Sequence, residues 1–167
     1  SLHDALPICN CWEYDIRSSV VAWKMGWAKQ YVAARGQGED LRKVFSATLN
    51  FLEDKADFMG TVRYFTFGDN SPVHIELQPK LLKQAFTAIS FGARQNSTGW
   101  QNESGGWTNP ALVDIIKNSS DREQFLADPS VQSYINEQAI LDTHLYEMVK
   151  VQRRDLLSKS FLQTGSG

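Results

Sequence analysis

Residues 61–70, "TVRYFTFGDN", decide which fold the sequence predicts. Thr61, Val62, Tyr64, Phe65 and Phe67 are β-branched or aromatic, and Gly68-Asp69-Asn70 closes the run with a turn signal. That composition favours a strand. Residues 73–77, "VHIEL", are then its hairpin partner, although Pro72 limits the pairing because proline cannot donate to a ladder. Residues 11–15, in the aromatic and apolar segment "CNCWEYDI", supply a third short strand.

The flanking segments read as helices. Val20, Trp23, Trp27 and Tyr31 recur at helical spacing and predict one bulky stripe on a helix capped by Ser18 or Ser19 and stopped by "RGQG". Asp40 caps the next helix, in which Val44, Phe45, Leu49 and Leu52 face inward and which Gly60 ends. Asn109-Pro110 starts a short helix, Ser119 or Ser120 caps another, and Asp128-Pro129 opens a long run to about residue 162. Between them, residues 95–108 read as a long polar loop with two tryptophans, Trp100 and Trp107, that pin it or stack on bases. The expected fold is α+β and mainly helical, a small sheet packed by about four to six helices.

The chain has 167 residues, 42% hydrophobic and 22% charged, which suits one globular domain. A formal net charge of −2 gives no global basic field, so contact with nucleic acid needs a local patch. No apolar run is long enough for a membrane span. Cys9 and Cys11, one residue apart and without a second pair, fit free thiols in a reducing, cytoplasmic setting. His3, His74 and His144 share no metal-like spacing. "SLHDALPI" reads as translated sequencing-adaptor sequence of the kind found in assembled environmental DNA, so residues 1–8 are expected to be a non-native leader. Residues 9–167 are then one truncated domain, with 109–162 helical.

Chemistry concentrates in residues 81–95, "LLKQAFTAISFGARQ". At about 100° per residue, Thr87, Ser90 and Arg94 fall within roughly 40° of Lys83, and Phe91 about 80° away. Leu82, Phe86, Ile89 and Ala93 cluster on another arc. Two readings stand side by side. In one, the cations suit the helix dipole, Phe91 is core and Gly92 is a terminator. In the other, Lys83 faces phosphate charge and the Phe91 ring lies against a base.

Lys83, Phe91 and Gly92 form K-x7-F-G, which resembles the fingers-helix motif of single-subunit nucleic-acid polymerases, both the family A DNA polymerases and the phage-type RNA polymerases. Where that family often carries an arginine four residues before the lysine, this chain has Pro79. Asp15-Ile16-Arg17-Ser18 is similar to the first palm motif, D-x-[KR]-S, and precedes Lys83 as the family order requires. The resemblance covers residues 9–95 as palm and fingers. It implies Asp15 as a catalytic metal ligand for magnesium, and Lys83 as a catalytic contact to the triphosphate. Phe91 and Gly92 would meet the nascent base pair, with Arg63 and Arg94 as further phosphate contacts. A nucleic-acid template and a nucleoside triphosphate would be the partners.

Two-metal phosphoryl transfer also needs a second carboxylate after the fingers helix. Asp114, Asp121, Asp128, Asp142 and Asp155 all fall in helical or capping contexts, so the fragment is expected to be inactive alone. The rival expectation is a non-enzymatic helical binding or structural module, for instance of a virus, assembled through its last helix.

Overall fold

The computed structural model describes residues 19–36 and 40–152. Helix α1 occupies residues 19–34. It is followed by α2 (Leu41–Val44), α3 (Ser46–Glu53), α4 (Lys55–Phe67) and α5 (Gln78–Ser90). A two-stranded sheet of β1 (Trp100–Gln101) and β2 (Trp107–Thr108) precedes α6 (Ala111–Ile115), α7 (Ser119–Ala127) and α8 (Pro129–Gln152). The chain is mainly helical α+β, as the composition of its segments predicts.

The sheet, however, is elsewhere. Residues 61–67, expected as a strand, are the last half of α4, and residues 73–77 are a turn rather than a hairpin partner. Phe58, Val62 and Thr66 recur every fourth residue and are buried together, so helical burial overrides the β propensity of this stretch. Residues 11–15 lie outside the described residues. The pairing instead forms inside the expected polar loop, antiparallel, with Trp100 opposite Thr108 and Gln101 opposite Trp107. The Asn102 side chain closes the turn by accepting hydrogen bonds from the Gly106 amide and the Ser104 hydroxyl, both at 2.8 Å.

The helix expected over residues 41–59 is three helices. It breaks at Phe45 (φ −121°, ψ 39°) and at Asp54 (φ −136°, ψ 60°). Phe45 is fully buried, so the first break turns a core side chain inward. Gly60 ends nothing and sits within α4. In α1 the buried residues are Val21, Lys24, Met25 and Ala28, while Trp23 is 59% exposed. The expected aromatic stripe therefore lies beside the buried face, with Trp23 and Trp27 edge to face at 6.2 Å.

Five rings form the centre of the core. Phe86 of α5 contacts Phe51, Phe58, Phe125 and Tyr134 at centroid separations of 5.5, 5.5, 5.6 and 5.0 Å. Such tilted and edge-to-face pairs add about 0.5–1.5 kcal/mol each beyond area burial. A second cluster, Met25, Ala28, Phe45 and Leu141, joins α1 to α8. Asn118, not Ser119 or Ser120, caps α7 through the Asp121 amide at 2.9 Å. Asp128 caps α8 through the Ser130 amide at 2.8 Å, as expected. No helix of the described residues is long and apolar enough to cross a membrane.

Candidate functional site

Helix α5 carries most of the predicted site. Pro79 suits its first turn, where a missing N–H costs nothing. Leu82, Ala85, Phe86 and Ile89 recur at helical spacing and are buried, which fixes the rotation of the helix on the core. Phe91 is the C-cap, and Gly92 follows at φ +84°. The Gly92 amide donates to the Ile89 carbonyl at 2.9 Å and the Ala93 amide to the Ala88 carbonyl at 3.0 Å. These two bonds make a Schellman stop, which requires a residue that tolerates positive φ. The terminator reading of Gly92 is therefore correct. The accompanying expectation that Phe91 is core is not, since its ring is 70% exposed.

The polar stripe is drawn inward rather than held out to solvent. Lys83 and Thr87 are half-buried, and Ser90 is buried. The Thr87 hydroxyl donates to the Lys83 carbonyl at 2.8 Å and the Ser90 hydroxyl to the Thr87 carbonyl at 2.6 Å. Both donors are spent on the helix's own backbone.

Lys83 lines a cavity of about 10 Å³ together with Lys55, Phe51, Phe86, Ser90 and Tyr134. That is room for about one water molecule. The Lys55 amine lies 4.6 Å from the centre of the Phe51 ring. The Tyr134 hydroxyl is buried without a hydrogen-bond partner, and burial pushes its pKa up, with the Glu137 and Asp142 charges adding to the shift.

One buried lysine absent from the sequence-based candidates holds this region together. The Lys24 amine, from α1, donates to the carbonyl of Ser90 in the last turn of α5. It also donates to Gln138 Oε1 at 3.3 Å and pairs with Asp142 Oδ1 at 2.7 Å. Lys24 thus ties α1, α5 and α8 at one point. Its position on the apolar face of α1, beside Val21, Met25 and Ala28, was the available signal.

The remaining candidates separate. Arg94 lies on the exposed side of the α5 stop, its guanidinium 4.2 Å above the Trp100 ring. Arg63 sits at the other end of α5 and donates to Gln78 Oε1 at 3.2 Å. Both cations are therefore held away from the Lys83 cavity by partners of their own. Asp15 lies outside the described residues. Among the described residues no group of three or more His, Cys, Asp or Glu side chains is placed to hold a metal ion. Asp121 hydrogen-bonds Ser71, Asp128 caps α8 and Asp142 pairs with Lys24.

No family model, curated protein or solved structure matches the chain.

Proposed function

We propose that the chain is a piece of a metal-dependent nucleotidyltransferase resembling the palm-and-fingers polymerases, with α5 as its nucleotide-facing helix. One observation carries the reading: K-x7-F-G falls on a single helix and its cap. Lys83 stands in the second turn of α5 and Phe91, 70% exposed, at its end. Their separation along the axis is about 12 Å, comparable with the reach of a nucleoside triphosphate from phosphate to base. Lys55 on the facing helix adds a second cation to the same cavity wall.

The cavity beside Lys83 admits one water and no phosphate, so binding requires the Lys83 amine to swing to the solvent side of α5. A long, half-buried lysine stem allows that rotation. Magnesium enters the reading only through Asp15. The test is titration of a fluorescent nucleoside triphosphate, with and without magnesium, into the wild-type chain and Lys83→Ala. Magnesium-dependent binding weakened at least about tenfold in the variant is the expected result. Equal binding by both proteins would sink the assignment.

The corner at residues 91–109 favours a second reading, the helical binding module. Phe91 and Trp107 are 70% and 69% exposed, and Arg94 is stacked on Trp100 nearby in sequence. Aromatic residues and arginine dominate the energetic centres of protein contacts. This reading predicts that Phe91→Ala and Trp107→Ala impair partner binding while Lys83→Ala leaves it intact.

A further inference from the structure

A second concavity lies away from α5. The turn after α4, residues 67–72, and the first turns of α7 line an open concavity of about 500 Å³ with polar and apolar walls. That size falls within the range of small-ligand sites. Gly68, at φ +53° and ψ −149°, lets the chain reverse here in a conformation open only to glycine.

The wall chemistry is specific. Asp69, Asn70, Asn118, Asp121 and Gln124 present carboxylate and amide groups, and Phe65, 44% exposed, contributes a ring at the edge. Asp121 is 6% exposed and already accepts the Ser71 hydroxyl at 2.7 Å, which fixes both the turn and the carboxylate. Thr66, only 2% exposed, also lines the pocket, and its hydroxyl has no hydrogen-bond partner. Buried hydroxyls are normally satisfied, so an unmatched one in a pocket wall points to a group that the protein does not itself supply.

No lysine, arginine or histidine lines the pocket. A phosphate or carboxylate ligand would meet two aspartates with no cation to offset them. A bare cation would leave most of the volume and the ring unused, and would face the positive end of α7. A neutral polyhydroxylated molecule uses everything present. Its hydroxyls donate to carboxylates and exchange hydrogen bonds with amides, and its C–H face lies on a ring. We infer that this pocket binds a neutral saccharide or cyclic polyol of about monosaccharide size, independently of anything that happens at α5.

The test uses the whole chain, with saturation-transfer NMR followed by calorimetry. The probes are free glucose, galactose, N-acetylglucosamine and myo-inositol, with calcium chloride as a separate arm. At least one polyol should bind with a Kd in the range of about 1 mM, and Asp69→Ala and Phe65→Ala should each weaken it about tenfold or more. Asp69 and Phe65 are both surface-accessible, and an unchanged thermal melt shows that each variant is folded. Lack of saturable binding by all four polyols at about 100 mM would overturn the inference. So would binding that both variants retain, or a response to calcium alone.

Discussion

The carboxylate of Glu137, in the first half of α8, accepts a hydrogen bond from the Thr48 amide at 2.9 Å and caps α3 from a different helix. The Ala47 amide adds a second bond at 3.2 Å. Phe45, the residue in the N-cap position, offers no side-chain acceptor, so α3 borrows one from across the core. Glu137→Ala should cost about 1–3 kcal/mol, as for loss of a cap that leaves buried amides unpaired. Urea denaturation measures it, and a cost near zero would remove the capping role.

Glu137 also makes stability depend on pH. Burial pushes its pKa above the ordinary carboxylate value, while the hydrogen bonds from Thr48 and Ala47 pull the other way. With the folded pKa above the unfolded one, the folded protein binds the proton more tightly. The resulting stability is complete below the unfolded pKa and is lost as pH rises through the folded one. Wild type should therefore lose stability relative to Glu137→Gln between about pH 4 and about pH 7. Denaturation curves of both proteins at the two pH values test the sign, and a wild type that gains stability relative to Glu137→Gln as pH rises contradicts it.

Lys24→Ala should cost about 2–4 kcal/mol, because it strands the Ser90 carbonyl and Gln138 in the interior. Lys24→Met keeps the apolar stem and should cost less than the alanine variant. A half-exposed Asp142 limits the penalty from its own lost partner, since water can replace the amine. If the methionine variant is the less stable of the two, stem packing is not what holds Lys24 in place.

Tyr134→Phe should leave stability within about 1 kcal/mol of wild type or raise it, since the hydroxyl it removes is buried and unpartnered. A loss well above that would mean that a water molecule in the adjoining cavity bonds the hydroxyl. Equilibrium denaturation distinguishes the two.

Two glycines should respond differently to alanine. At Gly92 a Cβ meets nothing within 4 Å, so Gly92→Ala carries only the backbone cost of φ +84°, about 1–2 kcal/mol. At Gly99 a Cβ would lie 2.5 Å from Trp107 Nε1 and 2.7 Å from the Thr108 carbonyl. Gly99→Ala must therefore push β2 from β1. A changed tryptophan emission in Gly99→Ala, absent in Gly92→Ala, is the expected signature.

The helix at 78–90 was legible from its apolar spacing and glycine stop, and that at 129–152 from the Asp128-Pro129 start. Residues 61–67 were misread because Tyr64 and Phe65, which look like strand residues, are exposed surface positions on α4, 66% and 44% accessible. The helical signal was Phe58, Val62 and Thr66, but it ran through Gly60, which read as a stop. At the candidate site, α5 and the role of Gly92 as a stop were readable from local pattern. Lys55, Tyr134 and Lys24 were not, because they reach the cavity or its edge from three other helices, and spacing on one helix carries no information about another.

The clamps described above also set an order of events. Thr48 must wait for Glu137, 89 residues later, and Lys24 for Gln138, 114 residues later. The first helices of a nascent chain can form on their own turns, and Lys24 can meet Ser90 of α5. Its ties to Gln138 and Asp142 and the cap on Thr48 close only once α8 has emerged and docked. Long-range closures of this kind slow folding relative to local helix formation. A chain released before residue 137 would carry α3 without its cap and α1 with only its tie to α5, making α8 the element that converts early helices into a finished domain.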